Sequence, residues 1–304
     1  MTLQPLIEHH QTKCGLVALI GAPNAGKSTL TNAIVGEKIS IVTHKVQTTR
    51  QRITGIAVFE NTQLVLLDTP GLFTPKVRLE KAMVEAAYDA AKDADIRLWI
   101  IDASKPLKQD NITPMLDNLA APFIVVLNKI DQTDSKHILE RAALFNHPRV
   151  EKVFMISALK ENGVKDVVEY LCERMPNAPF LYPQDDMSTM PSRLLAADLT
   201  REQVILNVHQ ELPYETYVET EAFETFRNGS IKISQVIIVA KEGQKAIILG
   251  HKGERIKLIR QRAQTSIKTL FGVPIHLFLH VKVIANWQDK KEFYDLSGLS
   301  FSQD

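Results

Sequence analysis

The sequence predicts an α/β domain with a mostly parallel six-stranded sheet, followed by a smaller α+β domain. Three observations carry this prediction. Short, continuously apolar runs alternate with helical patterns as far as residue 174, the mark of strands buried on both faces by crossover helices. A glycine-rich octapeptide lies between the first apolar run and the first helical pattern. Four prolines, Pro176, Pro179, Pro183 and Pro191, then interrupt every periodicity, and a differently ordered set of elements follows.

Residues 16–20 (LVALI) read as a buried strand, and a helix follows the octapeptide to about Gly36. Further strands are expected at 53–59, 63–68, 97–102, 123–127 and 153–156, with helices near 79–91, 108–119, 135–144 and 164–174. Only Glu60-Asn61-Thr62 joins strands 53–59 and 63–68, which is short enough for a hairpin, so one edge is expected to be antiparallel. The domain limits follow as 13–179 and 196–286, with a linker at 180–195 and a tail at 287–304. The second domain reads as a helix at 192–210, strands at 214–224 and 231–240, a short helix at 244–249, a helix at 254–270 and a strand at 275–284.

Composition names no partner: 36 Lys and Arg against 35 Asp and Glu leave a net charge of +1. Cys14 and Cys172 form no C-x-x-C pair and read as reduced structural thiols. The longest apolar runs, such as Phe123–Leu127, fall far short of the roughly 20 residues of a membrane span. The N-terminal MTLQPLIEHHQTK has no basic region before an apolar core, so a cytoplasmic protein is expected. His9, His10, His44, His137 and His147 have no metal-ligand spacing and read as surface or structural groups. Trp99 reads as core, and Trp287 as local packing.

Gly21-Ala22-Pro23-Asn24-Ala25-Gly26-Lys27-Ser28 fits G-x-x-x-x-G-K-S after a strand and before a helix, the setting of a phosphate-binding loop. Glycines let the backbone wrap a phosphate with its N–H groups inward, and the helix adds its positive end. Lys27 is expected to meet the β- and γ-phosphates, and Ser28 to coordinate Mg²⁺. A glycine turn that a lysine merely follows does not account for this setting.

Asn128-Lys129-Ile130-Asp131, after strand 123–127, selects the base. The Asp131 carboxylate accepts two hydrogen bonds; guanine offers two adjacent donors and adenine offers no such pair. Asn128 is expected to bridge loop backbone and base, and the Lys129 stem to cover the ring. Asp68-Thr69-Pro70-Gly71 closes strand 63–68, placing Asp68 on Mg²⁺ mainly through water and the Gly71 N–H on the γ-phosphate. In Gln47-Thr48-Thr49-Arg50 one threonine is expected to ligate Mg²⁺ when GTP is bound: Thr49 is favoured, with Thr48 the alternative. Ser157-Ala158-Leu159 offers the Ala158 N–H to the guanine oxygen. Leu72, after Gly71, cannot orient water, so catalysis falls to Lys27, Mg²⁺ held with Thr49, and loop N–H groups such as that of Gly71. Asn128 and Asp131 argue against the rival reading, a P-loop ATPase or kinase.

Residues 241–282 hold nine Lys or Arg and two Asp or Glu. Charge alone leaves a phosphate-binding patch and a solvated helix face equally open. Gly250-His251-Lys252-Gly253 tips the balance: a G-x-x-G turn between helices lets a nucleic-acid backbone approach main-chain N–H groups, as in KH domains. With strands before it, Arg255 and Lys257 beside it and a closing strand after it, the order is that of the type II KH fold. A basic domain that binds protein or anionic membrane is the alternative. Glu215, Glu219 and Glu221 read as a solvated strand face.

The G-x-P-N-x-G-K-S loop, Gln47-Thr48-Thr49-Arg50 and Asp68-Thr69-Pro70-Gly71-Leu72 together resemble the Era branch of the translation-factor-related GTPases, and the likeness extends over the whole chain. It implies a monomeric GTPase that binds the 3′ end of 16S ribosomal RNA and acts in 30S subunit assembly and 16S 3′-end maturation. It also allows peripheral association with the cytoplasmic face of the inner membrane. Asn24 matches the asparagine that helps hold K⁺ beside the phosphates in related GTPases; bonding its own loop is the alternative role.

Overall fold

The structure, a computed structural model, describes residues 12–42, 53–71, 78–107, 122–208, 216–291 and 293. Gln47, Thr48, Thr49, Arg50, Leu72, Glu215 and the helix expected at 108–119 lie outside the described residues.

The first domain runs β1 (Lys13–Ile20), α1 (Lys27–Val35), β2 (Ile53–Phe59), β3 (Thr62–Asp68), α2 (Arg78–Asp93), β4 (Ile96–Asp102), β5 (Phe123–Asn128), α3 (Ser135–Ala143), β6 (Val150–Met155) and α4 (Val164–Arg174). Its sheet has the order β2-β3-β1-β4-β5-β6, parallel except for the β2–β3 hairpin, whose turn is Glu60-Asn61. The strands match the expected set, with β1 and β6 each starting three residues earlier. β1 has β3 on one side and β4 on the other, which opens a crevice at the strands' carboxyl ends.

Alternate residues of β1 serve opposite faces. Val17 and Leu19 pack with Leu30 and Ile34 of α1 and with Val167 and Leu171 of α4. Ala18 and Ile20 join Ala91 of α2 and Phe145 on the other face. Trp99 is buried there, edge-on to Phe123 and Phe145.

The proline-broken stretch is not a free tether. Gln63 is buried; its side-chain oxygen accepts from the Leu181 and Tyr182 N–H groups, and its amide donates to the Tyr182 carbonyl. The Ile56 N–H donates to the Met187 carbonyl, so the linker covers the open edge of β2.

The second domain runs α5 (Ser192–Asn207), β7 (Tyr217–Thr225), β8 (Ile231–Val239), α6 (Glu242–Leu249), α7 (Glu254–Phe271) and β9 (Ile275–Val283). β7 is antiparallel and β9 parallel to β8, in the element order that the sequence predicts. α5 begins inside the stretch expected as linker. A bulge between Thr220 and Ala222 interrupts the alternation of β7; Glu219 is half-buried and Glu221 exposed.

β8 is buried on both faces. Ile237 and Val239 meet Val204, Ile248 and Ile259, while Ile233 meets Ala263 and Ile267. On the other face Val236 and Ile238 meet Ala82 and Met83 of α2, together with Trp287 and Phe293. Trp287 is therefore packing, as the sequence predicts. α5 lies between the two domains and is buried even at Asp198, Thr200, Arg201, Glu202 and Gln203. Buried polar groups need partners. The Thr200 hydroxyl donates to Gln235 Oε1 at 2.6 Å, Arg201 pairs with Asp198 at 2.9 Å, and Glu202 reaches into the first domain.

Candidate functional site

The octapeptide wraps the carboxyl end of β1. Gly26 has φ +102°, and a β-carbon there would fall 2.0 Å from Asn128 Nδ2, so only glycine fits. α1 has no side-chain cap and no acidic residue in its first turn, which leaves its positive end facing an open cavity. Pro23, Asn24, Gly26, Lys27, Ser28 and Gly71 line that cavity on the phosphate side, and Asn128, Lys129, Asp131 and Ser157 on the base side. Asn24, at the loop tip, has φ +62°.

Lys27 is buried, and its Nζ donates to the Gly21 and Ala22 carbonyls, each at 3.1 Å. Burial lowers its pKa to about 8, against the pull of the Asp68 charge. Burial pushes the Asp68 carboxyl up, while hydrogen bonds from the Ser28 and Ser40 hydroxyls and the Lys27 charge oppose it. Ser40 Oγ donates to Asp68 Oδ2 at 2.7 Å, and buried Oδ1 has no hydrogen-bond partner among the described residues. A bare carboxylate oxygen on a carboxylate bonded to Ser28 fits Mg²⁺, a hard cation that keeps several of its waters. The Thr69 hydroxyl donates to the Leu19 carbonyl at 2.7 Å, tying the Asp68–Gly71 segment to β1.

Asn128 joins three loops. Its Nδ2 donates to the Ala25 carbonyl at 2.9 Å, and its Oδ1 accepts from the Lys129 N–H at 2.8 Å and the Ala158 N–H at 2.9 Å. The Ala158 N–H, expected on the guanine oxygen, is thus engaged by Asn128 in this structure. Asp131 is half-buried in a single 3₁₀ turn, Ile130–Gln132.

Sequence reasoning missed Asp102, at the end of β4. Its Oδ2 takes the Lys129 ammonium at 2.7 Å, and its Oδ1 accepts from the Ser104 N–H and hydroxyl. Burial alone would raise this carboxyl; the bonds from Lys129 and Ser104 outweigh it and hold the pKa below the usual range. The available signal was an aspartate closing an apolar strand. Among the described residues, no cluster of three His, Cys, Asp or Glu could hold a metal.

In the second domain, Gly250-His251-Lys252-Gly253 turns tightly between α6 and α7. Gly250 has φ +71°, and a β-carbon there would meet the Arg255 β-carbon at 2.7 Å. His251, Lys252 and Lys257 are exposed. Arg255 is half-buried, and its Nη1 donates to the Ile247 carbonyl, so this residue also closes the end of α6. Ile247 and Leu258, on the flanking helices, are exposed apolar side chains that the sequence reading passed over.

Comparison with known proteins bears on both sites. A sequence model of the family described as 50S ribosome-binding GTPase matches residues 16–129, and one described as KH domain matches residues 211–288. GTPase Era of Sinorhizobium medicae is 49% identical over 293 residues, covering 95% of this chain and 94% of the relative. GTPase Era of Brucella suis is 49% identical over 297 residues, covering 97% and 96%. The chain belongs to the Era family of GTPases. It is a GTPase with a P-loop domain and a C-terminal KH domain. A crystal structure of Era in complex with MgGDPNP and nucleotides 1506–1542 of 16S ribosomal RNA is 35% identical, with a TM-score of 0.87, over 94% of this chain and 99% of that one. A variant of Aquifex aeolicus Era bound to GDP·AlF₄⁻ aligns with the same identity, TM-score and coverage.

Proposed function

We propose that this GTPase binds GTP and GDP with Mg²⁺ in the cavity described, and that its KH domain binds the 3′ end of 16S ribosomal RNA in assembly of the 30S subunit. The supporting observation is that one chain carries the stapled nucleotide cavity and the G-x-x-G turn, in a fold matching, nearly end to end, an Era bound to both ligand classes.

In this reading Lys27 leaves the Gly21 and Ala22 carbonyls for the β- and γ-phosphates. The backbone of residues 21–27 cradles them, and the Gly71 N–H meets the γ-phosphate. Ser28 and Thr49, or Thr48 in its place, ligate Mg²⁺, and Asp68 Oδ1 holds one of its waters. The ion supplies charge neutralisation for the phosphate oxygens. Asp131 reads the two guanine donors, the Lys129 stem held by Asp102 covers the ring, and the guanine oxygen shares the Ala158 N–H with Asn128. Leu72 offers water no hydrogen bond, so preorganised charge does the catalytic work and the intrinsic rate is slow. K⁺ beside Asn24 belongs to the same proposal. The RNA backbone lies on the Gly250–Gly253 main chain, with His251, Lys252, Lys257 and the remaining Arg255 donors on its phosphates, and Ile247 and Leu258 under its bases. The domains divide at 13–179 and 196–286 about the linker at 180–195, whose last four residues already open α5. The protein is a cytoplasmic monomer, where its nucleotide and RNA reside, with peripheral inner-membrane association as a second location.

Ultraviolet crosslinking with site mapping tests the RNA reading. Crosslinks between residues 247–258 and the 3′ end of small-subunit RNA are expected. Crosslinks confined to other surfaces or other RNAs would overturn it.

A further inference from the structure

Residues 38–42 connect the proposed metal site to the second domain, and no motif contains them. Ser40 is buried, and its hydroxyl donates to Asp68 Oδ2. That bond fixes one carboxylate oxygen, while the other, buried Oδ1, has no hydrogen-bond partner among the described residues. The backbone of Ser40 is itself gripped. Asn32 of α1 accepts from the Ser40 N–H at 2.9 Å and donates to the Ser40 carbonyl at 2.8 Å.

The flanks are held from the other domain. Glu202 of α5 is buried and uses both carboxylate oxygens on this segment. Its Oε2 takes the Lys38 ammonium at 2.6 Å, and its Oε1 accepts from the Val42 N–H at 2.9 Å. Between them Ile41 is buried in the core of the second domain, among Ala196, Leu199, Ile233 and Ala263. One acidic side chain of the RNA-binding half thus brackets, on both sides, the residue bonded to the metal-site carboxylate.

We infer that Ser40 is a positioning residue that orients Asp68 for the water shell of Mg²⁺, and that Glu202 positions Ser40. The inference rests on the proposed Mg²⁺–nucleotide reading. Groups that orient a metal's protein partners are worth about tenfold or more in metal affinity. A charge left unpaired by breaking the Lys38–Glu202 contact would also loosen the segment, since the buried carboxylate would seek water.

The test measures release of a fluorescent GDP analogue from the full-length chain against Mg²⁺ concentration, with excess chelator as the zero point. The wild-type protein releases GDP slowly in Mg²⁺ and fast in chelator. Ser40→Ala should raise the Mg²⁺ concentration for half-maximal slowing by about tenfold. Glu202→Gln, which keeps the shape and an acceptor for the Val42 N–H, should raise it in the same direction by less. Neither should change the release rate in chelator, a rate that general damage to the fold would move. An unshifted Mg²⁺ midpoint in Ser40→Ala overturns the inference. A shift in Ser40→Ala with none in Glu202→Gln overturns the role of Glu202. Equal acceleration with and without Mg²⁺ assigns Ser40 to the fold and overturns it too. Wild-type release indifferent to Mg²⁺ overturns the metal reading itself, an outcome distinct from the others.

Discussion

Replacing Asn128 by alanine removes three hydrogen bonds at once, two of them buried. The side chain is 2% exposed, donates to the Ala25 carbonyl and accepts from the Lys129 and Ala158 N–H groups. Each such bond is worth about 1 kcal/mol net. Their sum, about 3 kcal/mol, is an upper figure, because the cavity opens to solvent and water can reach the half-exposed Lys129 N–H. About 2 kcal/mol should remain. The loss divides between the empty protein, where three loops come apart, and the complex, where the phosphate and base loops must hold one register. Urea unfolding without nucleotide should show a destabilisation of about 1 kcal/mol. Titration with a fluorescent GDP analogue should show affinity down by about fivefold, the other ~1 kcal/mol on a scale where 1.4 kcal/mol is one decade. Asn128→Asp should be milder in unfolding, since it keeps both acceptor contacts, yet still weaken GDP binding, because an oxygen then faces the Ala25 carbonyl. Wild-type stability together with wild-type GDP affinity in Asn128→Ala would refute the argument that this side chain couples the loops.

Asp131→Asn replaces an acceptor with a donor facing the guanine amine, so GTP binding should weaken by about 3 kcal/mol or more and preference move to xanthine nucleotides; unchanged specificity in a competition assay would remove the base assignment. The Lys27 pKa of about 8 sets a pH window. Phosphates need the charged form, so GDP affinity is full only well below pH 8, is about halved at pH 8, and should fall by about tenfold from pH 7.5 to 9. In the nucleotide-free protein the sign reverses. Burying a charged lysine costs stability below pH 8, and that cost fades as pH rises toward the unfolded value of 10.5. A flat GDP affinity across that range would contradict the placement of Lys27.

Much of the first domain was legible because its signals are local. The octapeptide, the strand ends and the Asn128–Asp131 turn each follow from a few consecutive residues, and each lines the cavity. Side-chain contacts between distant segments were not legible. Nothing near Ala158 announces that Asn128, 30 residues away, takes its N–H. Asp102 was visible only as the end of a strand until Lys129 was placed beside it. α5 shows the limit most clearly. The sequence shows only a helix there; its polar residues carry no local sign of burial, and they are buried because the helix lies between two domains. The bulge in β7 was hidden for a related reason: alternation in sequence cannot display a register change that the partner strand imposes.

The central claim, a GTPase whose KH domain holds small-subunit RNA, is tested most directly by fluorescence anisotropy. The RNA carries nucleotides 1506–1542 of 16S ribosomal RNA, and the protein is loaded with MgGDPNP. The comparison is between the wild-type protein and Gly253→Asp. A side chain at Gly253 would meet nothing within 4 Å, and φ +80° costs aspartate, which visits the left-handed region as single residues, about 1–2 kcal/mol, so the variant should fold with some loss of stability and place a carboxylate where a phosphate must approach. The account predicts tight wild-type binding that weakens with salt, at a slope of about −0.7 per phosphate neutralised, and loss of RNA binding in Gly253→Asp with GDP affinity intact. Wild-type binding no tighter than to a scrambled RNA of equal length, or full RNA affinity in Gly253→Asp, would contradict it.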